Sequence, residues 1–300
     1  MKYRLGVDLG GTNIAVGVVD EDNRIVSRVS APTALPRPAD AIAASIAEAC
    51  IKAIGEAGIE REDIVSVGVG TPGAVNSSGI VENDANLGFV NTPLRDMIYD
   101  LLKIETFIGN DANCAALGEQ VAGAGRGTKN FIMVTLGTGV GGGIVLDGKL
   151  LTGVNGAAGE IGHMVIDHEG IPCQCGRIGC FEQYASASAL IRFAKEHNLD
   201  VNGARDVFDL AKADNIVAAE VLDSYFDYLS TGIANLINIF QPEVIAIGGG
   251  IAGQGEELLK PLVKKVESKR YTKYSKKQTV ITVAKLGNDA GIIGAASLKE

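Results

Sequence analysis

The sequence predicts an α/β protein made of two related halves, and three observations carry that prediction. Segments of strand character alternate with segments of helical periodicity along the chain. Two stretches, LGVDLGGTNIAVGVVDEDNRIV and IMVTLGTGVGGGIVLDGKLL, share one plan of strand, glycine–threonine loop, strand and turn. The length, 300 residues, suits about two domains of ~100–200 residues each. A repeat of this kind implies two α/β halves facing each other across a cleft, each presenting one glycine-rich hairpin.

Residues 3–8 and 14–19 read as strands about a Gly10-Gly11-Thr12 turn, and 24–28 as a third strand after a polar turn. Residues 39–56 read as a helix with Ile42, Ile46, Cys50, Ala53 and Ile54 on one face, which places Cys50 in the core. A strand at 64–70 ends in Thr-Pro-Gly, and a short one at 106–109 runs into Asn110-Asp111 and a helix through 121. A strand at 144–146 follows the second glycine loop. Residues 215–240 form a long helix, separated by Pro242 from a strand at 244–247. An amphipathic helix at 256–269, a strand at 280–284 and a helix at 290–298 complete the chain.

Three glycine clusters stand at strand ends: residues 10–11, residues 137–143 and residues 248–250. Glycines let backbone amides approach an anion closely, so two like hairpins and a third loop point to a nucleotide. Gly137, Gly139 and Gly142 match the G-x-G-x-x-G dinucleotide pattern, which requires a helix directly after the loop. Here a strand and a hairpin turn follow, so the dinucleotide reading fails on context. Asp111 follows a strand and opens a helix, at the kind of strand end where α/β sheets bind ligands. An aspartate stabilised by the helix dipole is the alternative.

A net charge of -9 argues against general nucleic-acid binding, which needs a positive footprint. No apolar run approaches the ~20 residues of a membrane span, and the first residues enter a strand without a signal-peptide pattern. Five cysteines, three of them clustered, suit metal use in a reducing cytoplasm better than a disulfide framework. The segment EIGHMVIDHEGIPCQCGRIGCFEQYAS, residues 160–186, gathers His163, Cys173, Cys175 and Cys180, with Glu160 and Glu182 beside them. One imidazole and three thiolates suit tetrahedral zinc, and four protein ligands close the site to water, as in structural sites. Buried apolar thiols are the alternative, and the Gly, Gln and Arg between them fit it poorly. His168 and His197 carry no signal and are expected to be exposed.

These motifs resemble the ROK family of sugar kinases and repressors, within the actin and hexokinase-like ATPases. The resemblance runs from the DLGGTN loop to the last helix. Its most specific part is E-x-G-H at 160–163 followed by C-x-C-G-x-x-G-C-x-E-x-Y-A-S at 173–186, both without a mismatch. Within the family the likeness is strongest to bacterial glucokinases, through GIVENDANLG at 79–88 and IGNDAN at 108–113. Phe89 stands where many members carry tryptophan, and Asn13 where many carry lysine.

The resemblance implies two ribonuclease-H-like domains, residues 1–115 with 286–300 and residues 116–285, the latter holding the zinc loop and a dimerisation surface. It implies ATP in the interdomain cleft and an aldohexose beside its γ-phosphate. Asp111 would be the base for the 6-hydroxyl. Asn110, Glu160, His163 and Glu182 would contact the sugar, with Gly73 and Asn83 near it. Gly10, Gly11, Thr12 and Asn13 would meet the phosphates, with Gly137, Thr138 and Gly139 on their other side, while Gly249 and Gly250 flank the adenosine. Asp8 would orient Mg2+ through water. A homodimer or a dimer of dimers is the family expectation. Repressors of the family carry a DNA-binding module ahead of the DLGGT loop, and seven residues before Asp8 leave no room for one. A non-catalytic sugar sensor, or a kinase for N-acetylmannosamine, N-acetylglucosamine, fructose or allose, are the alternatives to a glucose kinase.

Overall fold

The computed structural model describes residues 1–84 and 86–299. Ala85, within the 79–88 segment, and Glu300, at the end of the expected 286–300 segment, lie outside the described residues. The chain divides into two units, one of Met1–Gly127, Gly143–Gly159 and Lys285–Glu300, the other of Thr128–Gly142 and Glu160–Ala284. The expected boundary at 115 therefore moves. It falls inside a helix that continues to Ala122 and packs along the helix of Asp289–Ala296, with both helices in one unit.

The first unit opens with a meander of β1 (Tyr3–Leu9), β2 (Asn13–Val19) and β3 (Ile25–Pro32), antiparallel throughout. Helix α1 (Ala39–Ala57) leads to β4 (Ile64–Thr71), parallel to β1. A small sheet of β5 (Ala74–Val75), β6 (Val81–Asp84) and β7 (Phe89–Thr92) and a helix α2 (Leu94–Leu102) follow. Then β8 (Thr106–Asn110), parallel to β4, runs directly into α3 (Asp111–Ala122). The sheet order is β3-β2-β1-β4-β8. Alternation along β1 sends Leu5, Val7 and Leu9 into one core with Ile42, Ile46, Cys50 and Ala53 of α1. Burial pushes the Cys50 thiol up to about 12, as befits a core side chain.

The second unit begins with β9 (Phe131–Leu136) and β10 (Val140–Leu146), whose last residues, with β11 (Lys149–Leu150), belong to the first unit. After the cysteine-rich loop come α4 (Glu182–Ala185), α5 (Ala187–Glu196), α6 (Ala204–Lys212) and α7 (Ile216–Phe240). The chain closes this unit with β12 (Val244–Gly248), α8 (Glu256–Lys269) and β13 (Val280–Val283). The sheet order β11-β10-β9-β12-β13 repeats that of the first sheet, so the sequence repeat is a repeat of ribonuclease-H-like topology. Helix α7 starts where the Asn215 side chain accepts the Ala218 amide at 3.0 Å and ends at Gln241, which is left-handed before Pro242.

The last helix, α9 (Asp289–Ala296), returns to the first unit and packs on its sheet. It can do so because Gly17, Gly6 and Gly68 form one row across β2, β1 and β4. A Cβ at Gly6 or Gly68 would collide with the carbonyl of Ile292 or Ala295. Helices α3 and α9 meet backbone to backbone, Gly118 against the Ala290 carbonyl and Gly294 against that of Cys114. This contact carries the first turn of α9 onto Asp8, where a Cβ on Gly291 would stand 3.0 Å from the carboxyl carbon.

Candidate active site

In the first unit, strands β1, β4 and β8 end side by side, with Asp8 opposite Gly70, Gly70 opposite Gly109, and Thr71 opposite Asn110. Asn110 caps α3 by accepting the Asn113 amide at 3.2 Å, while its amide nitrogen donates to the Gly73 carbonyl at 3.2 Å. Gly73 has φ 90, and a Cβ there would lie 2.5 Å from the Asn83 carbonyl and 2.9 Å from Asp84. Asn110, Gly73 and Asn83 are thus brought together, with the Asn83 side chain exposed.

Asp111 accepts the Ala112 amide at 2.7 Å. Burial holds its carboxyl above the usual aspartate range, opposed by those amides, and the negative charge of Asp84 adds to the rise. Asp8 is likewise raised, first by burial and then by the charge of Asp111. Asp84 was not foreseen as part of this site. It is buried and accepts the amides of Asn86 at 3.2 Å and Leu87 at 2.6 Å. An Asp shortly before such a turn was the available signal. Asn113 was also missed: its Oδ1 is buried without a hydrogen-bond partner among the described residues.

The turn after β1 is tight, with the Gly10 amide donating to Asn13 at 2.9 Å and the Thr33 hydroxyl to Gly10 at 2.6 Å. Thr12 is exposed, and Asn13 accepts from the Ser30 hydroxyl at 2.8 Å. The second hairpin is built alike, the Gly137 amide donating to Gly139 at 3.0 Å, with Thr138 exposed at its tip. A Cβ would meet nothing nearer than 3.9 Å at Gly11, and nothing within 4 Å at Gly137 and Gly250. None of these three has positive φ, so the fold does not demand glycine there. Open space beside exposed backbone is what an amide-lined phosphate loop needs, and the glycines fit a nucleotide. Gly249 differs: φ 82 and contact with the Leu136 carbonyl make it a requirement of the turn.

In the second unit, the loop 160–181 folds through bridges pairing Val165 with Cys180 and Pro172 with Ile178. It is anchored on α7 by the Phe181 ring against Gly232, and by the Tyr225 hydroxyl donating to Ala185 at 2.7 Å. The loop gathers a ring nitrogen of His163 and the sulfurs of Cys173, Cys175 and Cys180 within 4.8 Å of one another. His163 Nδ1 and Cys173 Sγ are 3.8 Å apart, and the Cys175 and Cys180 sulfurs 3.6 Å. Zn–S bonds of ~2.3 Å give tetrahedral edges of ~3.8 Å, so the donor set and its spacing fit zinc. Glu182, first residue of α4, accepts from the Cys173 thiol at 3.0 Å through Oε1, and Oε2 would lie 2.8 Å from a Cβ on Gly139. The metal cluster, Glu182 and the second hairpin are therefore neighbours. The Glu160 backbone accepts the His163 amide at 3.1 Å, and its side chain is exposed. His168 and His197 are exposed, as expected.

Comparison with known proteins places this geometry in a family. Residues 4–300 match the family described as ROK. A glucokinase from Halalkalibacterium halodurans is 40% identical over 99% of this chain and 94% of its own. The ROK hexokinase of Thermus thermophilus superposes with a TM-score of 0.86 at 34% identity, over 98% of this chain and 96% of that one. A ROK glucokinase from Streptomyces griseus, solved in complex with glucose and AMPPNP, gives 0.78 at 34% identity, over 98% of each chain. The two like sheets are those of the actin-like ATPase fold, and the chain belongs to the ROK family.

Proposed function

We propose that this chain is an ATP-dependent hexose kinase that transfers the γ-phosphoryl group of ATP to the 6-hydroxyl of glucose. One observation carries the reading: a half-buried aspartate of raised proton affinity, Asp111, stands at the junction of β8 and α3 beside a second carboxylate, Asp8. A base must be deprotonated yet willing to take a proton, and burial beside Asp84 moves Asp111 in that direction. The kinship with glucokinases at 38–40% identity supports glucose as the sugar.

In this reading Asp111 accepts the 6-hydroxyl proton as the oxygen attacks the γ-phosphorus. Asn110, Asn83 and the Gly73 loop, with Glu160, His163 and Glu182, hold the ring hydroxyls. Carboxylate, amide and imidazole groups suit vicinal hydroxyls because they give directional acceptors and donors. Gly10, Gly11, Thr12 and Asn13, and Gly137, Thr138 and Gly139, cradle the phosphates, while Gly249 and Gly250 border the adenosine. Asp8 would orient Mg2+, which would supply charge neutralisation on the phosphates. His163, Cys173, Cys175 and Cys180 would hold a structural zinc, which would fix the loop carrying Glu182. His163 Nδ1 faces the sulfurs, leaving Nε2 to face the sugar.

None of the five cysteines is in a disulfide, which suits a reducing cytoplasm. No described helix is long and apolar enough to cross a membrane. Kinship within the family supports a homodimer or dimer of dimers, which light scattering on the purified protein tests. The function is tested by initial rates of ADP release from MgATP with glucose, N-acetylmannosamine, N-acetylglucosamine, fructose and allose. The reading expects glucose to give the highest kcat/KM by about tenfold or more, a difference of ~1.4 kcal/mol in transition-state binding. A better rate with another sugar overturns the substrate, and no sugar-dependent release overturns the kinase.

A further inference from the structure

Glu119 lies on α3 two turns beyond Asp111, and it is fully buried. Its carboxylate gathers three backbone amides. Oε2 accepts from Ala124 at 2.7 Å, and Oε1 accepts from Lys285 at 2.7 Å and Leu286 at 2.6 Å. Its main-chain carbonyl takes two more, from Gly123 at 3.0 Å and Gly125 at 2.9 Å. Space is kept for the side chain: a Cβ on Gly123 would collide with Oε2. A buried carboxylate given only backbone donors is held in one place, because losing any of those bonds leaves an unpaired buried group.

We infer that Glu119 is a positioning residue for the phosphoryl transfer, tying α3 to the segment that leads into α9 and so fixing Asp111 relative to Asp8. The inference rests on the kinase reading above. Its geometry is a closed chain of contacts. Asp111 opens α3, and Gly118 of the same helix lies against the Ala290 carbonyl of α9. Glu119 holds Lys285 and Leu286, four and three residues ahead of α9, and Gly291 of α9 stands against the Asp8 carboxyl group. Backbone contact between α3 and α9 sets their separation, but glycine faces slide. The Glu119 bonds supply the directional element that stops a shift along the helix axis.

Two substitutions loosen the tie from opposite sides. Glu119→Gln keeps the shape but sets an N–H group against one of the three donating amides. Gly123→Ala leaves the carboxylate and displaces it by crowding. The experiment measures kcat and glucose KM for wild type, both variants and Asp111→Asn with and without Glu119→Gln, well below each melting temperature. Misplacing a base by a fraction of an ångström should lower kcat about 10- to 100-fold with glucose KM little changed. In the Asp111→Asn background, Glu119→Gln should cost no further rate, because the residue it positions is gone. A purely structural Glu119 would lower Tm, leave kcat of the folded protein unchanged, and overturn the inference. An equal loss of rate in the Asp111→Asn background overturns it as well. If Glu119→Gln does not fold, Gly123→Ala decides alone. A wild-type chain without hexose-dependent turnover overturns the kinase reading and the inference with it, whereas an active wild type with unaffected variants overturns the inference only.

Discussion

Glu182 accepts a hydrogen bond from the Cys173 thiol at 3.0 Å, so a proposed sugar ligand and a proposed metal ligand touch directly. The metal site is therefore predicted to affect both stability and sugar binding. Cys175 is the exposed member of the cluster, and its removal perturbs packing least. Cys175→Ala should lose zinc by elemental analysis, raise the glucose Kd and lower Tm by about 10 °C or more, as loss of a few kcal/mol does in a domain of ~150–250 residues. Unchanged melting and sugar affinity in a zinc-free variant would remove the structural role.

Asp111→Asn should trade activity for stability. The folded protein holds the Asp111 proton more tightly than the unfolded chain does. Stability therefore falls by a penalty that grows as pH rises from the ordinary aspartate pKa through the raised one. Asparagine removes it while keeping an acceptor for the Ala112 amide. The expected result at pH 7 is a kcat lower by ~10²–10⁴-fold, retained glucose affinity and a higher Tm. A lower Tm in calorimetry would contradict the electrostatic account of the site.

The pH–rate profile follows from the same charges. The acid limb of kcat/KM should lie above the ordinary aspartate value, because Asp111 must lose its proton to act. Asp84→Asn removes one of the negative charges that raise it and should move that limb to lower pH. A limb that stays in place shows that another group titrates.

Glycines of the two kinds should respond differently. Gly137→Ala meets open space, so Tm should hold while MgATP affinity drops by about tenfold, ~1.4 kcal/mol. Gly68→Ala collides with the Ala295 carbonyl, and overpacking of ~1–3 kcal/mol or more should appear as lost stability. Thermal melts and nucleotide titration of the two variants, side by side, check both arms.

Much of the fold was legible because periodicity and punctuation agreed. The α7 helix had Asn215 before it and Pro242 after it, and β1 and α1 had clear apolar faces. The repeat of glycine–threonine hairpins announced two sheets of one topology. The small sheet β5–β7 was not read, since strands of two to four residues carry too little alternation. Helices α2, α5 and α6, of nine or ten residues, were passed over in the same way. The packing of α3 along α9 was not legible, because the role of Gly118 lies in contact with α9, more than 170 residues away, and no local pattern records it. In the site, the gathering of His163, Cys173, Cys175 and Cys180 was readable from spacing alone. Asp84 and Glu119 were not, because what distinguishes them is burial against backbone amides distant in sequence or hidden in a turn.

The most direct test of the central claim follows the phosphoryl group. Wild-type protein is incubated with glucose and ATP labelled at the γ-phosphate, in the presence of Mg2+, and the labelled product is identified. The account predicts label in glucose 6-phosphate, formed at a rate that Asp111→Asn reduces by ~10²–10⁴-fold. Label found only in inorganic phosphate, or in a sugar ester at another hydroxyl, would contradict it.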